Sequence, residues 1–424
     1  MANATRVVFA TFGSLGDLHP YIAIGRELLR RGHRPLIASF EEYRAAVAAA
    51  GIEFAPMRPA MSSFGERAAM MEQLFDPWRG PELMVRTMFM PNLRETYQDL
   101  ARACRGADLL VTHPLAFAGP LLAQKESLRW VSTALSPMTL FSAIDPPLFP
   151  AAPWMHLARR AGVAPYRLLF RIPRALVRRW EQPLREFRAE LELPATDSIA
   201  QLEGQHSPRL NLALFSRTLA APQPDWPANT VVCGFPRYDG APPDASVQAE
   251  LDAFLASGEP PIVFGLGSSA VMVAGDFWRA AIDAAQRLGQ RAILLTGTPP
   301  GSLGAVPPTV KAFHYLPYSA VFPHALAIVH SGGIGTLAQA LAAGRPQLIV
   351  PVAFDQPDNA RRAVKLGVAR SIPFGKTSAD ALVRELGRLL AAPEFNPRAR
   401  AIGEEVRRED GASAASNVLE QVAA

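Results

Sequence analysis

The chain has 424 residues, of which 49% are hydrophobic and 19% charged, enough apolar material for two or three domains with cores of their own. Its formal net charge of +5 is small for this length, and its two cysteines, Cys104 and Cys233, lack metal-ligand spacing. No long uncharged apolar run occurs, so we expect no membrane span. With only these two cysteines we expect neither a disulfide framework nor a structural zinc site, and a reducing, cytoplasmic location fits.

The first half alternates short apolar strands with amphipathic helices, a pattern typical of βαβ units and a parallel sheet. The N-terminus runs directly into a strand pattern and lacks the features of a secretory signal. A helix is predicted over 20–32, where apolar residues recur at helical spacing and a glycine follows. The predicted strands are 6–13, 34–40, 52–57, 108–114 and 129–135.

An arginine-rich segment, 154–190, interrupts this alternation with nine arginines among Leu, Phe, Val and Trp. One interpretation is a helical insertion whose arginines are solvated or paired, since charged helix faces are usually surface. The other is a basic amphipathic flank over 156–188 that contacts anionic lipid at the inner face of a membrane. Nucleic-acid binding is not predicted, because no recognised module joins the arginines.

A proline-rich stretch, 220–244, separates two halves of similar pattern and suits an interdomain connection with one short strand. We therefore expect domains at 1–219 and 245–395, and a C-terminal helical segment at 396–424. The predicted strands of the second half are 261–267, 291–297, 310–316, 326–332 and 346–352.

The glycine-rich stretch HSGGIGTLAQALAAG begins at His330, where a strand ends and a helix follows. Free amides and the dipole at a helix N-terminus favour an anion, although many glycine turns of this kind bind nothing. Gly333, Gly335 and Ala338 also spell G-x-G-x-x-A with Asp355 downstream, so a dinucleotide site competes with a nucleotide-sugar site. A P-loop is disfavoured, because no GK[ST] follows.

Two longer stretches carry a resemblance to a known family. The run 315–360 is similar to the donor-binding signature of family 1 glycosyltransferases, and 11–33 resembles the start of the same proteins. FGLGS (264–268) and the WP…GFPRYDG pattern (226–240) extend the likeness, which is strongest to bacterial rhamnolipid-type rhamnosyltransferases and to sterol- and antibiotic-modifying relatives. The resemblance implies the α/β GT-B fold, two Rossmann-like doubly wound parallel-sheet domains facing across a cleft.

The resemblance also implies which residues bind the donor, a nucleotide diphosphate sugar. His330 matches the family histidine that contacts the diphosphate, as imidazolium or as a neutral donor. Asp355 and Gln356 match the pair that binds sugar hydroxyls, although Asp355 could equally cap the next helix. Tyr315 matches an aromatic beside the nucleobase, with a core position as the alternative. The remaining matches, all small residues near the diphosphate, are Gly13, Gly16, Ser268, Gly332, Gly333, Gly335 and Thr336.

Asp17 is our candidate general base for the acceptor hydroxyl. It follows a glycine turn after the first strand, where α/β sheets place ligand groups, and it matches the catalytic position of bacterial relatives. His19 is the rival base, since histidine titrates near neutrality. The role of His113 stays open, because it lies where plant relatives carry an acidic partner. The expected acceptor contacts are His19, His113, Met138, Phe141 and Phe149.

Together these features predict an inverting, metal-independent glycosyltransferase that moves a hexose, rhamnose or glucose, to a hydroxyl of an apolar small molecule or lipid. Plant relatives carry a glutamate for the ribose hydroxyls where this chain has Ala338, which favours a dTDP-sugar over a UDP-sugar. No further cofactor is expected. A nucleotide-sugar epimerase and an NAD-dependent oxidoreductase are the alternatives.

Overall fold

A computed structural model describes residues 4–423, so residues 1–3 of the N-terminal stretch and Ala424 lie outside the described part of the chain. The chain divides into two compact units. The first comprises Met1–Tyr238 together with Asp410–Ala424, and the second is Asp239–Glu409. Each contains one parallel sheet with helices between its strands, as the alternating pattern predicts.

Seven strands form the sheet of the first unit in the order β3-β2-β1-β4-β5-β6-β7, and all described pairings are parallel. Five of these strands coincide with predicted apolar runs, and β7 is the short strand expected in the connecting stretch. The three residues of β6 were not predicted. The strands are β1 Arg6–Ala10, β2 Arg34–Ser39, β3 Glu53–Pro56, β4 Leu109–Thr112, β5 Trp130–Ala134, β6 Asn211–Ala213 and β7 Thr230–Val232.

The helices of the first unit include the predicted one after β1, which begins at Leu15 rather than at residue 20. The arginine-rich segment is helical, as expected, over α7 and α8. The helices are α1 Leu15–Arg30, α2 Arg44–Ala49, α3 Arg67–Leu74, α4 Gly80–Leu83, α5 Leu93–Ala103, α6 Ala118–Lys125, α7 Val163–Trp180 and α8 Gln182–Glu190.

The second unit has six strands in the order β10-β9-β8-β11-β12-β13, again paired in parallel. The strands are β8 Ile262–Gly265, β9 Ala292–Leu295, β10 Val310–Phe313, β11 Ala327–His330, β12 Gln347–Ile349 and β13 Ala369–Ser371. The helices are α9 Ala245–Ala256, α10 Gly267–Ala270, α11 Phe277–Arg287, α12 Tyr318–Val321, α13 Ile334–Ala343, α14 Gln356–Lys365, α15 Ala379–Ala391 and α16 Phe395–Arg408.

The last helix, α17 (Gly411–Ala423), returns to the first unit and packs on α1. Glu420 accepts a hydrogen bond from Arg31 at 2.9 Å and pairs with His33 Nε2 at 2.8 Å. The predicted C-terminal helical segment is thus shared between α16 in the second unit and α17 in the first.

Both sheets have the same doubly wound order. Each begins with a central strand, adds two strands on one side, and then crosses to the other side, so the connections diverge between β1 and β4 and between β8 and β11. Ligands bind doubly wound sheets outside the carboxyl ends of the strands at this topological switch point. Asp17 and His113 follow β1 and β4, and Ser268 and the glycine-rich loop follow β8 and β11. Residues 4–423 include no helix with the length and hydropathy needed to cross a bilayer.

Candidate active site

The turn from β1 into α1 fixes the carboxylate of Asp17. Ser14 is the N-cap of α1, and its side chain accepts from the amide of Gly16 at 3.2 Å. Asp17 Oδ2 in turn accepts from the Ser14 amide at 2.7 Å and from the Ser14 hydroxyl at 3.0 Å. This reciprocal capping box satisfies helix-end donors and holds the carboxylate in one place. One oxygen of Asp17 is therefore committed to the turn.

The other oxygen of Asp17 faces His113, which follows β4. His113 Nε2 lies 3.3 Å from Asp17 Oδ1. The amide of Leu115 donates to His113 Nδ1 at 3.1 Å, so Nδ1 is an acceptor and the ring proton sits on Nε2, toward Asp17. The His113 side chain is 5% exposed, whereas that of Asp17 is 31% exposed. The sheet thus brings the candidate base and His113 together as a pair, with the carboxylate reachable from solvent.

Gly13 and Gly16, predicted as donor contacts, belong to this turn. Gly13 has φ +123°, and a Cβ there would collide with the Asp17 carboxylate. Glycine is therefore required for the carboxylate to occupy its place. Gly16 donates its amide to Ser14, as described above.

His19 lies two residues beyond Asp17 on α1, about 200° around the helix, so its side chain points elsewhere. Its ring packs edge-on against Tyr238, with centroids 5.2 Å apart. The structure therefore places His113 beside Asp17, while the ring of the rival base His19 lies against Tyr238.

Two of the predicted acceptor contacts, Phe141 and Phe149, belong to an aromatic cluster. Phe141 and Phe149 stack with ring centroids 6.4 Å apart, and Phe170 of α7 joins them at 6.0 and 5.9 Å. Phe141 ends a short turn that includes Met138 and has φ +48°, an uncommon value for a bulky residue. Met138 and the three rings are all partly exposed, which leaves apolar surface for a ligand.

In the second unit, the glycine-rich loop leads into α13, which begins at Ile334. Gly333 is its N-cap, and no side chain caps it. The first amides of a helix have no intrahelical partner, so those of Ile334, Gly335 and Thr336 are available to an anion, and the helix dipole adds to their attraction. Gly333 has open space where a Cβ would stand. These features fit the predicted diphosphate cradle.

The amide of Gly332, unlike those at the start of α13, is not available to an anion. Its N–H donates to His330 Nδ1 at 3.0 Å, and its carbonyl accepts from Asn359 Nδ2 at 3.0 Å. It has φ +86°, and a Cβ would lie 2.8 Å from Ile349 Cγ2. The predicted donor contact is thus a turn residue whose backbone is fixed on both sides.

His330, expected at the diphosphate, lies inside the second unit. Its side chain is fully buried, and its second nitrogen, Nε2, lies 3.0 Å from Gln347 Oε1. Burial lowers the pKa of His330 to about 4. Of the two expected forms, imidazolium and neutral donor, the lowered pKa favours the neutral one at neutral pH, and both ring nitrogens have partners within the protein.

The loop after β8 lies beside the glycine-rich loop. A Cβ on Gly267 would be 3.2 Å from Thr336 Oγ1, and Ser331 donates to the carbonyl of Leu266 at 2.6 Å. Ser268, at the start of α10, is partly exposed, whereas Thr336 is 8% exposed. Ser268 therefore presents its side chain at the switch point.

Asp355 and Gln356, the predicted sugar-binding pair, lie at the start of α14: Asp355 is the N-cap and Gln356 is the first helical residue. Asp355 Oδ2 accepts from Asn359 Nδ2 at 2.8 Å, and the Asp355 side chain makes no cap bond to its helix. Gln356 is 7% exposed, and its Oε1 accepts from the amide of Val352 at 2.8 Å. Asn359 thus ties Asp355 to the glycine-rich loop.

Tyr315, expected beside a nucleobase, is 48% exposed rather than in the core. Its hydroxyl donates to the carbonyl of Asp239 at 2.5 Å, and the Asp239 carboxylate accepts from the Ser319 amide at 2.6 Å and from Gln339. The ring is held at one end and open to solvent.

Four residues of these networks were missed in the sequence: Ser14, Asp239, Gln347 and Asn359. Ser14 has a signal, because Ser-x-x-Asp before an apolar helix is a capping pattern. The others act through partners that only the folded sheet brings near. Across residues 4–423, no group of three or more His, Cys, Asp or Glu side chains could hold a metal ion.

Comparison with known proteins identifies the class. Residues 281–420 match the model of the erythromycin biosynthesis protein CIII-like C-terminal domain. O-mycaminosyltylonolide 6-deoxyallosyltransferase of Streptomyces fradiae is 31% identical over 431 residues, covering 98% of this chain and 97% of that protein. Sterol 3-beta-glucosyltransferase of Leptosphaeria maculans is 27% identical over 97% of this chain, which spans only 28% of its length.

Among solved structures, the glycosyltransferase VinC in complex with dTDP aligns over 99% of both chains with a TM-score of 0.68 at 20% identity. Two doubly wound parallel-sheet units with this likeness define the GT-B fold of glycosyltransferases. The chain belongs to the family 1 glycosyltransferases. Its glycine-rich loop is accordingly interpreted as part of a nucleotide-sugar site rather than of a dinucleotide site.

Proposed function

We propose that this glycosyltransferase transfers a hexose, rhamnose or glucose, from a nucleotide diphosphate sugar to a hydroxyl of an apolar small molecule or lipid, with inversion. The observation that carries the proposal is the partly exposed carboxylate of Asp17, held between Ser14 and His113 at the switch point of the first sheet. We assign acceptor binding to residues 1–219, donor binding to 245–395, the connection to 220–244 and a helical segment to 396–424.

Asp17 takes the proton of the acceptor hydroxyl while the oxygen of that hydroxyl attacks the anomeric carbon of the donor sugar. The bond from that carbon to the diphosphate oxygen breaks in the same displacement, which inverts the configuration. The N–H of His113 steadies the carboxylate before transfer. A positioned base of this kind contributes about 10²- to 10⁴-fold to the rate.

Negative charge grows on the departing diphosphate. The free first-turn amides of α13 and the hydroxyl of Ser268 supply donors for it, which supports a reaction without a divalent metal. Asp355 and Gln356 are proposed to bind sugar hydroxyls, and the exposed face of Tyr315 to stack on the base. Activity retained after EDTA treatment is the expected outcome, and recovery only with added Mg²⁺ would overturn it.

A dTDP-sugar is the proposed donor, with a UDP-sugar as the alternative. Ala338 is 4% exposed and offers no carboxylate for ribose hydroxyls. VinC was solved with dTDP, which supports the same preference here.

An apolar acceptor is supported by the aromatic cluster of Phe141, Phe149 and Phe170. The two similar enzymes described above are named for O-mycaminosyltylonolide and for sterols, and sterols are apolar alcohols. We place transfer in the cytoplasm.

We further propose contact of α7 with the inner face of a membrane. Leu168, Ile172 and Leu176 recur every four residues on α7 and are 64%, 70% and 50% exposed. The helix has five arginines and no acidic residue; Arg174 and Arg178 pair with Glu203 and Asp197, so the surface interpretation accounts for part of the charge. Apolar stripes flanked by arginines favour anionic lipid.

Vesicle flotation tests this contact. Binding to vesicles containing phosphatidylglycerol, lost in Ile172→Asp and absent with phosphatidylcholine alone, is expected. Equal flotation of the variant would contradict the proposal. Val364→Asp, at an exposed apolar residue of the other unit, is the matched control.

The function itself is tested by a thermal-shift comparison of dTDP, UDP and GDP, followed by transfer assays. A ligand that binds only the folded state raises the melting temperature by an amount that grows with the logarithm of its affinity at a fixed ligand concentration. We expect the largest shift with dTDP, and sugar transfer from dTDP-glucose or dTDP-rhamnose to O-mycaminosyltylonolide, a sterol or a 3-hydroxy fatty acid. Absence of any nucleotide shift would overturn the proposal.

A further inference from the structure

The environment of His330 defines the protonation state of its ring. The Gly332 amide can only donate, so Nδ1 must carry a lone pair. A neutral ring has one proton, which is then on Nε2 and is donated to Gln347 Oε1. The reverse orientation of the Gln347 amide would leave two donors facing one another. The hydrogen-bond network therefore sets both the tautomer and the amide orientation.

Strand pairing explains why Gln347 reaches this ring. His330 lies opposite Ile349 in the parallel register of β11 and β12, and Gln347 is two residues before Ile349. Because strand side chains alternate between faces, Gln347 and Ile349 share a face. Gln347 is 1% exposed. Burial lowers the pKa of His330 and the Gln347 bond raises it, and along residues 4–423 no charged group adds to these effects.

We propose that His330 serves the diphosphate site as a neutral positioning residue, whose tautomer Gln347 fixes and whose Nδ1 holds the Gly332 turn. This inference rests on the proposed donor site. Gly332 is held at its amide by His330 and at its carbonyl by Asn359, so the left-handed turn is fixed on both sides. The turn sets the direction in which α13 presents its first amides, and those amides carry the attraction for the anion.

The two possible roles of His330 predict opposite pH dependences. A ring that contacted the diphosphate as imidazolium would strengthen binding as the pH falls. A ring that accepts the Gly332 N–H loses that acceptor when Nδ1 is protonated, so protonation would loosen the turn and weaken binding. In the wild-type protein, where burial lowers the ring's pKa to about 4, we expect the ring to stay neutral from pH 5.5 to 8 and binding to stay constant.

Gln347→Glu distinguishes the two roles. A carboxylate beside Nε2 favours the charged ring and raises its pKa toward the tested range. We expect the dissociation constant for dTDP-glucose, measured by calorimetry, to rise at least about 10-fold between pH 8 and pH 5.5 in the variant, a change of about 1.4 kcal/mol, and to change less than about twofold in the wild type. dTDP-glucose is chosen because its two phosphates do not titrate in this range.

Tighter binding of the variant at low pH, or an unchanged profile, would overturn the inference.

Wild-type protein with ¹⁵N-labelled histidine provides a second test, which does not depend on the folding of a variant. In its NMR spectrum at pH 6 we expect His330 to carry its proton on Nε2 and none on Nδ1. The His330 signals are assigned as those that disappear in His330→Asn. An imidazolium, or an Nδ1–H tautomer, would contradict it. Failure of wild-type protein to bind any nucleotide sugar would instead refute the donor proposal, because the tautomer is read without ligand.

His330→Asn and His330→Gln form a matched pair for the same question. Asparagine places its amide near the position of Nδ1, whereas glutamine reaches the position of Nε2. We expect Asn to retain donor affinity within about fivefold and Gln to lose more. The reverse order would contradict positioning through Gly332.

Discussion

The two switch points have the same topology and opposite chemistry. Between β1 and β4 the first unit presents a partly exposed carboxylate, Asp17, with the N–H of His113 directed at it. Between β8 and β11 the second unit presents free helix amides, and its histidine, His330, is buried and neutral. The two units thus share the place where doubly wound sheets bind ligands, and we propose that their loop residues divide the work, the first removing a proton and the second holding an anion.

Asp17→Asn is expected to have the largest effect. The amide keeps the size of the side chain but cannot accept the acceptor proton, so transfer should fall by about 10³-fold or more. The rate of sugar transfer at saturating donor checks this. Asp197→Asn, at an exposed aspartate of the same unit, should transfer normally. Wild-type rates in Asp17→Asn would remove this residue from the base role.

Gly333→Ala should affect the second switch point alone. Its φ is −55°, and nothing lies within 4 Å of the added methyl, so the protein should fold with a cost of about 1 kcal/mol or less. A diphosphate approaching the first amides of α13 would meet that methyl, and we expect about 30- to 100-fold weaker dTDP-glucose binding by calorimetry. Gly375→Ala, another glycine with open space, is the control. Equal affinities of the two variants would place the anion elsewhere.

His113→Leu tests the pair in the first unit. Removing the N–H that faces Asp17 should lower kcat by about 10- to 30-fold while the KM for the donor stays near the wild-type value. His113→Gln, which keeps a donor group, should restore part of kcat. A rise in donor KM with unchanged kcat would contradict a positioning role.

The smallest effect concerns stability and pH. The pKa of His330 falls from 6.5 to about 4 on folding, so its contribution is fully present above pH 6.5 and is lost as the pH falls toward 4. At pH 5 this loss is about 2 kcal/mol at most. The difference in unfolding free energy between pH 7 and pH 5, measured by urea titration, should be smaller in His330→Gln by about 1 to 2 kcal/mol. The same difference in both proteins would mean that the ring is not buried neutral.

The apolar runs were sufficient to predict ten of the strands described between residues 4 and 423, because each buries a continuous face. The three-residue strand β13 contains Arg370, and no apolar run marks it. Strand β6 lies in the apolar run 210–215, which Asn211 interrupts, and it was missed. Pairing with a neighbouring strand forms them, and pairing is not visible in local sequence.

The candidate site was predictable where a local pattern carries it. The turn before Asp17 and the glycine-rich loop were both found in the sequence. The contact of His113 with Asp17 was not, since β1 and β4 become neighbours only in the sheet. His330 shows the converse: the strand end was predicted, but the burial of the ring and its bond to Gln347 depend on β12.

A single-turnover titration with dTDP-glucose and an accepted alcohol tests the separate roles of Asp17 and the glycine-rich loop most directly. One experiment returns both the donor dissociation constant and the rate constant for transfer. We predict that Asp17→Asn lowers only the rate constant and Gly333→Ala raises mainly the dissociation constant. In the double variant the two free-energy changes should add, as they do for independent sites. Weakened donor binding in Asp17→Asn, or unchanged binding in Gly333→Ala, would contradict the account.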